Sequence, residues 1–296
     1  MNNHFAIWQK IWQRLYFLCC QAWRLNNDAL RCSLLPALRR GGADLGKLLS
    51  KHNIIKWTGE DWFTYQNWTF FFAGQAPFLD LISFVAIDHP YVKKNFSHNI
   101  MYAAEGPYEY QGVTIGPGDY IVDAGANFGL FAILATEKIG PTGRLLAFEP
   151  VAQTAKALAK TIANNSIINI ELVTKALGSA NGQIKFSLYD SLLSSSGYGH
   201  DDQTTKGQEL VEQITLDNFL IAKDWPRLDF IKADIEGMER DMLIGAKQSI
   251  RRFKPKLAIC IYHRPDDPAV IEQLIRDMVP EYQIITTKTK LYAWVE

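Results

Sequence analysis

The chain has 296 residues, 48% of them hydrophobic and 21% charged, and 31 Lys and Arg balance 31 Asp and Glu. That length and apolar content exclude a disulfide-stapled mini-protein and a long disordered chain, and point to one large domain with or without an accessory piece. Zero net charge argues against a protein whose main work is coating nucleic acid.

The zero is a sum of unlike parts. Residues 1–56 carry nine basic residues against Asp28 and Asp44, a net of +7, which leaves −7 for the remainder. Six of the eight tryptophans fall within the first 68 residues. Phe5, Trp8, Trp12, Leu15, Cys19 and Ala22 make one stripe of an amphipathic helix over 5–25. Such a stripe packs on the main domain or on a second copy of the chain. Its Trp residues beside Lys10, Arg14 and Arg24 also suit a membrane interface. The longest early uncharged run, Leu15 to Trp23, is nine residues, where a spanning helix needs about 20. The polar start and the interruptions at Lys10 and Arg14 argue against a secretory signal. The four cysteines, Cys19, Cys20, Cys32 and Cys260, show no ligand spacing. They fit idle thiols in a reducing compartment, hence a cytoplasmic protein. Peripheral membrane contact or a homodimer through residues 1–56 stays open. Arg39-Arg40-Gly41-Gly42 breaks the helical pattern, and an aromatic stretch runs from Trp57 to Phe72. Residues 1–75 are therefore expected to form a helical, basic, Trp-rich accessory segment, 76–118 a lead-in, and 119–296 the main domain.

From residue 119 strands and helices alternate. Tyr120 to Asp123 reads as a strand and Phe128 to Lys138 as a helix stopped by Gly140-Pro141. Arg144 to Phe148 is a strand, Ala152 to Asn164 a helix, and Ile170 to Thr174 a strand. Gln183 to Tyr189 alternates as an extra strand, and Ser191 to Gly207 is a polar loop. Leu228 to Ala233 is a strand, Glu236 to Arg251 one helix, Lys256 to Tyr262 a strand, and Pro268 to Met278 a helix. Tyr282 to Thr286 and Leu291 to Val295 are spaced for an antiparallel hairpin. The pattern predicts an α/β domain with a doubly wound, mostly parallel sheet and a closing antiparallel hairpin.

Ligands bind such sheets at the carboxyl ends of the strands. The first strand leaves through Asp123-Ala124-Gly125-Ala126-Asn127-Phe128-Gly129. Gly125, lacking a Cβ, is expected to let the backbone approach a ligand, and Gly129 to open a helix whose N–H groups favour an anion. The dinucleotide pattern GxGxxG is missing. The second strand leaves through Glu149, placed where an acid receives ribose hydroxyls. A glycine loop with a ribose acid but no GxGxxG points to S-adenosylmethionine. Asp234 and His263 leave neighbouring later strands onto the same face, with Glu236 beside them. They are candidates to take a proton from a nucleophile. Lys232 is expected to partner Glu236 or Glu239. An Asp/Glu/His set is also a ligand type for Mg²⁺, but no metal is assigned from the sequence.

The segments IVDAGANFGLFA, FEP, ALGSANG, ITLDNFL, IKADIEGMERDMLIGA and IYHRPDD together resemble the FkbM family of S-adenosylmethionine-dependent methyltransferases over about residues 105–296. The resemblance implies a seven-stranded, Rossmann-like class I methyltransferase fold and O-methylation of a sugar, glycan or natural product. It carries Asp123, Gly125, Asn127, Gly129 and Glu149 over as cofactor-loop positions and Asp234, Glu236 and His263 as active-site positions. Ala233 stands where the family has a larger β-branched residue. Glu105 and Tyr108 are further candidates for the cofactor mouth. The alternatives are an N-methyltransferase acting on RNA or protein, a non-catalytic cofactor-binding protein of the same fold, and a nicotinamide-dependent oxidoreductase. The missing NPPY-like loop and the acidic main domain count against nucleic acid as a partner, and the missing GxGxxG and the hairpin count against the oxidoreductase. Acceptor specificity is expected in Tyr102 to Tyr110 and in the Ser191 to Gly207 loop.

Overall fold

A computed structural model describes residues 46–73 except Leu48, 107–189 and 205–296. The amphipathic stripe over 5–25, Glu105 and the 191–204 part of the polar loop lie outside the described residues. Two units are distinguished, one comprising 1–107 with 190–193 and the other 108–189 with 194–296.

In the first unit the aromatic stretch is not helical. It forms an antiparallel sheet of β1 (Ile55–Lys56), β2 (Trp62–Tyr65) and β3 (Trp68–Phe71). Aromatic and Thr side chains fit a pleated surface better than a helix. The two-residue turn at Gln66-Asn67 pairs Tyr65 with Trp68, and Phe63 stacks on Phe70 at 5.3 Å in a buried cluster.

The second unit is built on a seven-stranded sheet. Its strands are β4 (Tyr120–Ala124), β5 (Arg144–Phe148), β6 (Ile170–Val173), β10 (Phe230–Ala233), β11 (Lys256–Cys260), β12 (Gln283–Thr286) and β13 (Lys290–Trp294). Their order is β12-β13-β11-β10-β4-β5-β6. Only β13 runs against its neighbours, slotted between β11 and β12. The expected hairpin is therefore present, with its second strand on the inside. The helices are α1 (Leu130–Ile139), α2 (Ala152–Asn164), α3 (Leu216–Ala222), α4 (Glu239–Gly245), α5 (Lys247–Phe253) and α6 (Asp267–Met278). The central strands are buried along their length: Ile121, Val122, Leu146, Phe230, Ile231, Leu257 and Ile259 all have no exposure. This is the continuous apolar pattern of a sheet covered on both faces. Ala233 is fully buried between Ala124 and Ile259.

Two expectations need correction. The single helix over 236–251 is two helices, and its first residues form a loop. Glu236 and Gly237 have φ of 55° and 93°, which no helix accommodates. The break between α4 and α5 has two causes. A Cβ on Gly245 would meet the Gly178 carbonyl oxygen at 2.0 Å, so this turn packs directly on backbone. The Asp217 carboxylate then accepts from Gln248 N at 2.9 Å and Ser249 N at 2.7 Å, starting a new helix. The second correction concerns the polar loop. Its last residues, 205–207, begin β9 (Thr205–Ile214), which pairs with β8 (Gly182–Tyr189) and β7 (Ala176–Leu177) in a separate sheet.

Candidate active site

The sheet brings the predicted residues together in two groups at the carboxyl ends of its strands. The first group surrounds the β4–α1 turn. The Glu149 carboxylate, just past β5, accepts from Asn127 N and from Val151 N, both at 2.9 Å. It ties the turn to the next strand and keeps spare lone pairs on both oxygens. Burial pushes the Glu149 carboxyl up to about 7, against the opposing effect of the Val151 and Asn127 N–H groups. Gly129 caps α1 in the left-handed region at φ 94°, with no side-chain cap and no acid in the first turn. Its missing Cβ makes room for Leu158 of α2. Gly125 has φ 77°, and a Cβ there would meet the Asp234 carbonyl oxygen at 2.0 Å. The close approach expected at Gly125 is thus to the neighbouring strand end rather than to a ligand. Asp123 is fully buried and pairs with Lys232 Nζ at 2.9 Å. The register sets Lys232 beside Asp123 on adjacent strands, and the ammonium also donates to the Ala124 and Gly125 carbonyls at 3.2 and 2.6 Å. Burial would lower Lys232, but Asp123 and Asp234 hold it above its ordinary value. The partner of Lys232 is therefore Asp123, not Glu236 or Glu239.

The second group gathers around His263. Its Nε2 lies 3.4 Å from Glu236 Oε2 and 3.6 Å from Asp234 Oδ1. Its Nδ1 lies 3.1 Å from Glu239 Oε1. Asp234 accepts from Tyr108 Oη at 2.7 Å and from Tyr262 Oη at 3.1 Å. Burial favours the neutral Asp234 carboxyl, but His263, Lys232, Lys290 and the Tyr108 hydroxyl together hold it below the usual carboxylate range. Burial likewise disfavours the imidazolium, yet Glu239 and Glu236 hold His263 well above its ordinary value. Asp234, Glu236 and His263 present ligand-type atoms within 4.8 Å of one another. The two ammoniums acting on Asp234 oppose a further cation there.

Between the groups is a small, mostly apolar cleft of about 20 Å³, lined among others by Gly125, Pro150, Ala176, Phe186, Ile235 and Met238.

The family model described as Methyltransferase FkbM domain matches residues 123–282, more than half of the chain, with Asp123, Glu149, Asp234, Glu236 and His263 among them. The chain belongs to the FkbM methyltransferase family. Among curated proteins, Methyltransferase 1 of Beauveria bassiana is 24% identical over 144 residues, 43% of this chain and 57% of that protein. Methyltransferase sdnD of Sordaria araneosa is 24% identical over 158 residues, 44% of this chain and 61% of that protein. The chain thus spans about three fifths of the length of these relatives. A solved FkbM methyltransferase from Methylobacillus flagellatus aligns with a TM-score of 0.50 at 24% identity, covering 64% of this chain and 48% of that one. The fold of the second unit is the α/β methyltransferase fold.

In this FkbM-family chain, three contributors to the site were not assigned to it from sequence. Glu239 is fully buried at the start of α4 and accepts from Ile235 N at 2.8 Å and Gly237 N at 3.0 Å. Tyr262 ends on Asp234. Lys290, fully buried on β13, stands over the Tyr108 ring at 4.3 Å, with Lys232 at 5.3 Å. A lone Lys within an apolar run is a signal only for Lys232 in β10, since a buried ammonium demands a partner; Lys290 opens β13 just after Lys288 and carries no such mark. Tyr108, a candidate for the cofactor mouth, bonds Asp234 instead.

Proposed function

We propose that this FkbM-family chain is an S-adenosylmethionine-dependent O-methyltransferase of the Rossmann-like class I type. We infer that its acceptor is a hydroxyl of a sugar, glycan or natural product. The observation that carries the reading is the convergence at one sheet edge of a ribose-type acid, an uncapped helix N-terminus, an apolar cleft and a buried carboxylate–imidazole cluster.

The residues fit the cofactor on three counts. The lone pairs left on Glu149 accept hydroxyl donors. The start of α1 carries no acid to repel a carboxylate, and its N–H groups favour one. The lining around Pro150 and Ile235 is mostly apolar, the surface a heteroaromatic base packs against. Bound there, the cofactor supplies an electrophilic methyl carbon on a sulfonium.

The chain supplies alignment and proton removal. Asp123 and Lys232 fix the β4–α1 turn against β10, because the Lys232 ammonium holds the Ala124 and Gly125 carbonyls. Asp234 and His263 stand where an incoming hydroxyl loses its proton. A hydroxyl needs such help more than a neutral amine does, which favours oxygen over nitrogen as the acceptor atom. Among the described residues no helix is long and apolar enough to cross a membrane. We retain a cytoplasmic site of action as the expectation from cysteine usage, with the basic arm as the candidate contact to a membrane or a second copy.

The test is transfer of labelled methyl from S-adenosylmethionine to a panel of sugars, glycans and hydroxylated natural products. Asp234→Asn and His263→Ala are expected to bind cofactor normally and to lose turnover. Full activity in both variants, or labelling of amine acceptors alone, would overturn the O-methyl reading.

A further inference from the structure

We propose that Asp234 Oδ1, Glu236 Oε2 and His263 Nε2 form a binding site for one first-row divalent metal ion, of which Zn²⁺ fits best. The binding itself does not depend on methyl transfer; only the use of the ion in the reaction rests on that reading.

The sheet edge brings the three ligands together. Asp234 follows β10, Glu236 stands in the turn after it at φ 55°, and His263 follows β11. Their ligand-type atoms lie within 4.8 Å of one another. Nε2 lies 3.4 Å from Glu236 Oε2 and 3.6 Å from Asp234 Oδ1. An N–H···O hydrogen bond is shorter, about 2.7–3.2 Å. Two ligand atoms that are each about 2.0–2.2 Å from a tetrahedral zinc ion stand about 3.4 Å apart. The cluster therefore has the spacing of a metal's ligands and not of a hydrogen-bonded triad. Oδ1 accepts from Tyr262 Oη at 3.1 Å and keeps a second lone pair for an ion. The His263 side chain is 2% exposed, and neither ring nitrogen makes a hydrogen bond of good geometry. A buried polar ring in that state needs a partner, and an ion among these three atoms supplies it.

Glu239 completes the arrangement. It is fully buried and fixed by Ile235 N at 2.8 Å and Gly237 N at 3.0 Å. Its Oε1 lies 3.1 Å from Nδ1. A histidine bound to metal through one nitrogen turns its other N–H to a carboxylate or carbonyl, which orients the ring and raises its basicity.

The charges around the ring favour a cation despite the ammoniums near Asp234. Three carboxylates, Asp234, Glu236 and Glu239, surround the imidazole. Lys232 is matched by Asp123 at 2.9 Å. Arg240 and Arg264 face Asp266, Asp267 and Asp241. Among the described residues this sets Lys290 alone against the three carboxylates, an excess of two negative charges. A protonated imidazole cancels one of them, and a divalent ion on the neutral ring cancels both.

The donor set selects the ion. An imidazole beside two carboxylates argues against Mg²⁺ and Ca²⁺, which take oxygen ligands. Zinc takes histidine and carboxylate together, and three protein ligands leave its fourth position for another molecule. Asp234 and Glu236 keep 10% and 9% of their side-chain surface, so the ion and its fourth ligand enter from their side. In the methyl-transfer reading that fourth ligand is the acceptor oxygen.

The experiment uses the full-length chain, stripped of metal with a chelator. It is titrated with Zn²⁺ by calorimetry and with Co²⁺ by visible absorption. The expected result is one Zn²⁺ per chain and a Co²⁺ spectrum of low coordination number with nitrogen and oxygen ligands. His263→Ala and Glu236→Gln should each abolish this binding, and Glu239→Gln should weaken it by about 10–100-fold. Glu281→Gln, an exposed acid paired with Lys254 at 2.8 Å, should leave it unchanged. No saturable Zn²⁺ binding by the wild type, or binding that survives in both His263→Ala and Glu236→Gln, would overturn the site. So would a thiolate charge-transfer band with Co²⁺, which would put the ion on cysteine. If the variants do not fold, the wild-type stoichiometry and Co²⁺ spectrum decide. Titration of the same samples with S-adenosylmethionine separates the two readings. Zn²⁺ binding without cofactor binding counts against methyl transfer alone, and cofactor binding without Zn²⁺ binding counts against the metal site alone.

Discussion

Replacing Glu149 with Gln removes a buried charge while keeping the shape that ties Asn127 N and Val151 N to the end of β5. Burial raises the Glu149 carboxyl from 4.5 to about 7 in the folded chain. A carboxyl whose folded value is raised holds its proton more tightly when folded. Its contribution to stability is present in full below 4.5 and is lost as pH rises through about 7. At about 1.4 kcal/mol per pH unit, the loss amounts to roughly 3 kcal/mol across this window. Glutamine does not titrate, so the variant lacks that slope. Its amide can satisfy one of the two backbone donors and turns an N–H toward the other, a pH-independent cost of about 1–3 kcal/mol. Urea unfolding of both proteins at half-unit steps from pH 5 to pH 8 measures the difference. The stability of wild type relative to the variant should fall by a few kcal/mol as pH rises. Parallel curves would refute the argument that burial, and not the two N–H donors, sets the state of this carboxyl.

The same reasoning reaches three other positions. Lys232→Met leaves Asp123 buried without its partner and should cost about 3–5 kcal/mol in urea unfolding. Asp123→Asn added to it should restore part of the loss, and simple additivity of the two would show the pair to be uncoupled. Gly125→Ala drives a Cβ to 2.0 Å from the Asp234 carbonyl oxygen. It should destabilise by about 1–3 kcal/mol or more and weaken cofactor binding with it, as calorimetry and thermal melts would report. Cofactor affinity in the wild type should rise with pH through about 7 as Glu149 ionises, and this rise should vanish in Glu149→Gln.

Much of this architecture was legible because the main domain obeys simple periodicities. Short apolar runs marked β4, β5, β10 and β11, and the spacing of the last two strands marked the hairpin. Asp123, Glu149, Asp234 and His263 were found by asking what leaves each strand at one sheet edge. What escaped depends on contacts distant in sequence. The split of α4 from α5 needs Asp217, 31 residues away from Gln248, and the backbone of Gly178. Periodicity cannot report either. Strand β9 was hidden because its polar alternation reads as a loop until β8 is placed beside it. The aromatic stretch in the first unit was assigned to a helical segment by extension from the stripe before it, though its Trp, Phe, Tyr and Thr content favours strands. Glu239 and Lys290 are charged residues made into site components by burial alone. Lys232 was visible as a lone cation in an apolar strand, but its partner followed from strand register and not from proximity along the chain.

The central claim is that the strand ends around Gly125 and Glu149 hold S-adenosylmethionine. Isothermal titration of the full chain with S-adenosylmethionine and with its demethylated product tests it most directly. The account predicts saturable binding of both at one site per chain, each displacing the other, and a marked loss of affinity in Glu149→Ala with Asp234→Asn unaffected. No heat of binding for either compound, with the protein folded and concentrated, would contradict it.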